Sequence, residues 1–275
     1  MPDYSFDAAD ADIVLRSGDA QPVHFKVHRC ILAVASPFFS TMFTLPQAHP
    51  SHAPAADLPT VDVVEEAALL DKLLRFVYPV PDPDVPTLDE LLTLLTVAIK
   101  YDLTSVVSRL RGVLVSPHFL ASAPMRVFAI ASRFDLEDEV RIASQHTLHI
   151  NVLDSPSCDD LGQISAYAYH RLLDLHRRRA TAAELLLRIP DEIKCTQCHG
   201  HLYHSFAPPR WWSRFRERGW EELRARPTTK TIFSFKFLME AAQASGCPRC
   251  AGSILDSYAF LETLKGKIDA LPATV

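Results

Sequence analysis

Two Cys-x-x-Cys pairs carry the strongest chemical signal in this chain: Cys195-Thr-Gln-Cys198 and Cys247-Pro-Arg-Cys250. In each, a tight turn can bring two thiolates to one ion. Four thiolates complete the tetrahedral shell of zinc, with Zn–S near 2.3 Å. Gly246 before the second pair and Pro248 inside it suit such a turn. The pairs are 48 residues apart, where a compact ribbon has about 15–20. The insert holds Trp211, Trp212, Phe215, Trp220, Leu223, Ile232, Phe233, Phe235 and Phe237, enough apolar material to pack a small subdomain around the ion. A closed site of four cysteines is structural. Its binding free energy, on the order of 10–16 kcal/mol in finger peptides, acts as folding free energy.

Two other readings of these cysteines exist. Free thiols or a redox pair would want a βαβ context, and none is visible. A mixed-ligand or catalytic site would recruit His199, His201 or His204 as secondary ligands and leave a position open for water. Structural zinc is favoured, with these histidines at the surface or beside the ligands. Cys30 reads as a small core residue, and Cys158 is given no role.

No catalytic residue is assigned. The chain has no G-x-x-x-x-G-K-[ST], G-x-G-x-x-G after a strand, G-x-S-x-G or H-E-x-x-H. A metal-dependent hydrolase on the Cys/His cluster is a remote alternative. Charge is uneven. Residues 1–165 carry 22 acidic against 11 basic side chains, whereas 171–230 carry 7 against 13. Phosphates are held by clustered Lys and Arg, so the first part should not bind nucleic acid. In the basic stretch, Arg177, Arg178, Arg179, Arg210, Arg214, Arg216, Arg218, Arg224 and Arg226 could contact phosphates, with Trp211 and Trp212 stacking on bases. A solvated arginine face over a packed Trp pair is the favoured reading. His24 and His28 share one strand face and read as hydrogen-bonding residues rather than ligands.

These residues sit in a chain of 275, 48% apolar and 22% charged, with only 8 Gly against 20 Pro. The composition is that of a globular protein rich in helices broken by Pro. The longest apolar run falls short of a membrane span. No secretory signal is visible, so the expected location is intracellular, cytoplasm or nucleus, where cysteines stay reduced. Short β-type runs at 12–16 and 23–28 flank the turn Ser17-Gly18-Asp19 and predict a hairpin, with Val23, Phe25 and Val27 on its buried face. Ser36-Pro37 opens a helix. A third strand is expected over 58–64 and a helix over 65–78. Thr87-Leu-Asp-Glu90 is a capping box leading into Leu91, Leu94, Leu95 and Ala98 at helical spacing. Further helices are expected at 105–115, 124–134, 136–150 and 163–187, with a short helix and a frayed end over 253–271.

Across 10 to about 115 the chain resembles the BTB/POZ family. The resemblance rests on DADIVL at 10–15 and FKVHRCILAVASPFFSTMF at 25–43, through Asp12, Phe25, His28, Leu32, Ala33, Ser36, Phe39, Met42 and Phe43. Residues 124–190 resemble a helical extension that follows BTB domains in many fungal proteins. The implied fold class is α+β, with a BTB/POZ domain at 10–115 and a helical extension at 117–190; the two cysteine pairs add the expectation of a small zinc-stabilised segment at 191–275. The implied function is non-catalytic: self-association as a homodimer, or recruitment of a protein partner. Some relatives recruit cullin scaffolds as ubiquitin-ligase adaptors; others act in transcription, here with 171–230 as the stretch that would meet nucleic acid. Cullin-recruiting relatives have Glu where this chain has Gln47, which weakens the ligase reading. Only about ten residues precede the first strand, so a dimer would rest on helices.

Overall fold

The first strand, β1 (Ile13–Arg16), is apolar over three consecutive residues because it is the central strand of a three-stranded sheet and buries both faces. Strand β2 (His24–Val27) alternates, with Phe25 and Val27 buried and His24 and Lys26 exposed. It pairs antiparallel to β1, Ile13 opposite Val27. Strand β3 (Thr60–Asp62) lies parallel to β1 on its other side, Leu15 opposite Val61. The computed structural model describes residues 4–45, 58–156, 158–188, 193–198, 200–202 and 205–275. The chain divides into two compact units, Met1–Ser116 and Pro117–Val275.

In the first unit, the residues behind the sequence resemblance have local structural work. The Asp12 carboxylate accepts the Arg29 N–H at 2.8 Å, pinning the start of α1 (Arg29–Ala35) to the sheet. The His28 N–H donates to the Tyr78 hydroxyl at 2.8 Å, and its ring stands 3.1 Å from the same oxygen. Ser36 is fully buried. Its Oγ accepts from Phe39 N–H at 3.1 Å, capping α2 (Pro37–Thr44), and donates to the Tyr101 carbonyl at 2.5 Å. Phe25, Leu32 and Phe39 are buried; Met42 and Phe43 are half-buried. Two expectations fail here. Cys30 is exposed, because it lies two residues from Leu32, the buried residue of α1, and about 200° round the helix from it. Val23 precedes the strand and is 45% exposed.

Helices α3 (Ala67–Val77), α4 (Leu88–Lys100) and α5 (Thr104–Leu114) complete the unit. The Thr87 hydroxyl accepts from Glu90 N–H, as the capping box requires, and Leu91, Leu94, Leu95 and Ala98 are wholly buried. Glu65 is buried too. Burial raises its pKa, but hydrogen bonds from Lys100 and the Tyr101 hydroxyl outweigh that and hold the carboxyl below its usual range. Residues before the first strand also belong to the fold. Phe6 is buried, its carbonyl accepts the Lys26 N–H at 2.9 Å, and its ring packs against Tyr4, Phe25 and Tyr78.

The second unit comprises α6 (Pro117–Ser122), α7 (Pro124–Arg133), α8 (Glu137–Thr147), α9 (Ala166–Leu186), the hairpin β4 (Gly200–Leu202) and β5 (Ser205–Ala207), α10 (Arg210–Ala225), α11 (Thr229–Ile232), α12 (Phe235–Ala244), α13 (Cys250–Asp256) and α14 (Tyr258–Asp269). The tail is thus two ordered helices, not one and a frayed end. Their apolar residues Ile254, Leu261, Leu264 and Ile268 join one core with Trp211, Trp212, Phe215 and Leu223. Phe235, expected in that core, is 74% exposed at the first position of α12. Residues on both sides of the expected boundary near 190 share this unit, because α9 packs on α10 and α14. Among the described residues no helix is long and apolar enough to cross a membrane.

One helix corner occurs twice. Asp102 after α4 and Asp135 after α7 have φ of 52° and 54°. In each case the next residue, Leu103 or Leu136, donates its N–H back to a carbonyl of the preceding helix, at 2.8 and 2.9 Å. The sequences Tyr101-Asp-Leu103 and Phe134-Asp-Leu136 share this geometry because Asp tolerates the left-handed region better than most residues.

Arg179 sits inside the second unit, 6% exposed. Its guanidinium donates to the Pro227 and Ile268 carbonyls at 2.9 and 3.0 Å, to Pro272 at 3.0 Å, and to Leu271. It therefore satisfies the open carbonyls at the end of α14 and fastens that helix to α9. Arg179→Met should destabilise the unit by about 2–4 kcal/mol in urea unfolding, since the carbonyls lose charged donors. Arg178→Met, at a side chain 72% exposed, should stay within about 0.5 kcal/mol. Equal effects would contradict this role.

His176 is also buried, and burial pushes its pKa from 6.5 down to about 4. Between these values the unfolded chain binds a proton that the folded one does not. Stability is therefore full above pH 6.5 and falls toward pH 4, by about 3 kcal/mol. The wild type should lose more stability than His176→Leu over that window; parallel pH profiles would contradict the assignment.

Candidate metal centre

Each cysteine reaches the centre through local geometry that its neighbours dictate. Gly246 follows α12 with φ of +65°, a conformation that favours glycine, and redirects the chain into the second pair. Cys247 N–H then donates to Ser245 Oγ at 3.1 Å, and Cys250 N–H to the Cys247 carbonyl at 3.2 Å, which closes the turn as α13 begins. Cys195 and Cys198 lie in the turn before β4. The four sulfur atoms all fall within 4.8 Å of one another. The closest pairs cross between motifs: Cys198 to Cys250 at 3.5 Å and Cys195 to Cys247 at 3.9 Å. Both exceed a disulfide bond of about 2.05 Å. A tetrahedron with Zn–S of about 2.3 Å has edges near 3.8 Å, so the sulfur spacing suits one zinc-sized ion. Among the described residues this is the one cluster of potential metal ligands.

Electrostatics point the same way. Cys195, Cys247 and Cys250 are buried in an apolar core, and Cys198 is half-buried. Thiolates this close repel one another, so their protons distribute unevenly. Burial raises Cys195, but the N–H groups of Cys198 and Gln197 and the neighbouring thiols bring it down to about 7. Cys198 is driven up to about 12, first by burial and then by the three other thiols, against the Arg210 N–H. A divalent cation is the partner that allows all four to ionise. The rest of the shell already favours sulfur anions. The N-terminus of α10, a 16-residue helix, abuts the cluster. Arg210 N–H points at Cys198 Sγ from 3.4 Å, and the Trp211 backbone N–H bonds to Cys250. Backbone donors and the helix dipole both stabilise negative charge there.

Ser253 ties the parts together. The Trp211 indole N–H donates to its Oγ at 2.9 Å, and that Oγ donates to the Lys194 carbonyl at 2.6 Å. One hydroxyl thus joins α10, α13 and the first cysteine turn. The sequence reading did not single out Ser253. The available signal was its position three residues after Cys250, on the same helix face. Of the candidate secondary ligands, His201 lies in β4 opposite Phe206, while His199 and His204 fall outside the described residues, as does Gln47. Trp211 and Trp212 are wholly buried, edge to face at 5.6 Å.

A family model for the BTB/POZ domain matches residues 5–117. This extends past both ends of the range expected from sequence and takes in the segment around Phe6 that lines the sheet edge. Residues 5–117 are a BTB/POZ domain in a chain of α+β class. The BTB domain of zebrafish PATZ1 is similar at 21% identity, covering 38% of this chain and 75% of that one, with a TM-score of 0.30. No curated protein matches the chain.

Ser253→Ala should destabilise the second unit by about 1–3 kcal/mol, because it leaves the buried Trp211 indole N–H without its acceptor and removes the donor to the Lys194 carbonyl. Chemical denaturation followed by tryptophan fluorescence measures this, all three Trp being in that unit. A change below about 0.5 kcal/mol would show that the hydroxyl does not join these elements.

Proposed function

We propose that this chain is a non-catalytic interaction protein. Its BTB/POZ domain associates with a second copy or recruits a protein partner, and its second unit is held together by structural zinc on Cys195, Cys198, Cys247 and Cys250. The observation that carries the reading is the BTB/POZ domain at residues 5–117, a module of protein–protein interaction. The four-thiol set with inward-pointing N–H donors supports a closed zinc site rather than one with a water position. When bound, zinc would supply cross-linking between the two cysteine turns and the start of α13. The chain's own residues would position the sulfurs and offset their charge.

The surface suited to self-association lies on α1 and α2. Val34 is 90% exposed, Phe38 43% and Leu45, just past α2, 58%. The segment around Phe6 is held along its own β2. A dimer would therefore form through the helices, with no strand exchanged. The nucleic-acid alternative loses its stacking platform, because Trp211 and Trp212 are buried and Arg179 is spent on carbonyls.

Light scattering should give a dimeric mass for the wild type and a monomeric one for Val34→Asp, with unchanged circular dichroism. A wild type that stays monomeric at all concentrations and a domain that captures no protein partner would together overturn the reading.

A further inference from the structure

A cleft of about 450 Å³ lies along α9, between the turn at 151–153 and the end of α10. This is the size of a small-molecule site. Its walls are largely aliphatic, from Val152, Leu153, Leu173, Ala180 and Ala225. Leu153, at 75% exposure, leaves an apolar wall open to solvent.

Its distinctive group is His176, only 8% exposed yet part of the cleft lining. The Thr147 hydroxyl donates its proton to the Ser144 carbonyl at 2.6 Å, so its contact with His176 Nε2 at 3.1 Å is one in which the ring N–H donates. That fixes the tautomer. Nδ1 is then a bare acceptor, and among the described residues no hydrogen bond reaches it. Nδ1 is not one of the side-chain atoms sealed in the core without a partner, and His176 lines the cleft, so this nitrogen can accept from a donor that enters.

Two arginines, Arg177 and Arg224, stand on the rim. Arg177 and Arg178 share one carboxylate, Asp174, each at 2.7 Å, and Arg224 pairs with Glu184 at 2.8 Å. Of these, Arg177 and Arg224 line the cleft, with Glu184 beside Arg224, and the guanidinium N–H groups not used in the two pairs can meet an anion.

We propose that this cleft binds a small amphipathic organic anion. Its apolar body lies against Val152, Leu173 and Ala180, its hydroxyl or N–H donates to His176 Nδ1, and its acidic group meets Arg177 and Arg224. The site is separate from the cysteine cluster and does not depend on the interaction role of the BTB/POZ domain.

Anilinonaphthalene sulfonate has this chemistry: an aromatic body, an N–H and an anionic group. Titrated into the full chain, it should give a saturable fluorescence rise with one site per chain, and decanoate should displace it. Thr181, exposed on the cleft wall, allows Thr181→Trp to fill the space without touching the core. This should weaken binding at least about tenfold. Arg177→Gln with Arg224→Gln should weaken it about tenfold and flatten its salt dependence. Circular dichroism checks that each variant is folded. A rise that does not saturate, or binding equally tight in folded Thr181→Trp, would overturn the proposal.

Discussion

Four sulfur atoms within 4.8 Å of one another, three of them buried, set the terms for the second unit. Converging thiolates repel, and a low-dielectric setting magnifies that repulsion. The fold answers with donors. Backbone N–H groups from the start of α10 point at two sulfurs, and others from the first cysteine turn point at Cys195. The core around them is assembled from elements distant in sequence: α10, α12, α13 and α14 each contribute buried apolar residues. A metal at the four thiols would link the turn at 193–198 to the start of α13, and Ser253 makes the same link by hydrogen bonds.

Arg179 provides a second tie of the same kind. It is a buried cation with no carboxylate in hydrogen-bonding contact among the described residues, and the four carbonyls it serves are at or near the ends of α11 and α14. Through it α9 belongs to the cysteine-bearing core as much as to the helices before it. The stretch from 117 onward therefore forms one compact unit, where helical patterning and the cysteine pairs suggest a helical extension followed by a zinc-stabilised segment.

The parts legible in the sequence are those where one residue type does one local job. Ser36 and Thr87 announce helix starts, the alternation in β2 announces a half-buried strand, and the Leu91–Ala98 stripe announces a core helix. The cysteine cluster was legible too, because Cys-x-x-Cys spacing has few other physical uses. What escaped depends on tertiary partners. Arg179 sits among three arginines and only burial separates it from its neighbours. Cys30 looks apolar by context, yet helix phase turns it outward. The paired corners at Asp102 and Asp135 rest on two three-residue patterns too short to stand out. Ser253 is one serine among many until Trp211 and Lys194 are seen beside it.

The most direct test of this account is zinc-edge X-ray absorption on the purified full chain, with elemental analysis for stoichiometry. The account predicts one zinc per chain surrounded by four sulfur scatterers at about 2.3 Å, with no nitrogen or oxygen ligand, and loss of the metal in Cys247→Ser. Metal-free protein that is fully folded would contradict it. So would a zinc shell containing nitrogen or oxygen, which would place a histidine or water at the centre in place of a thiolate.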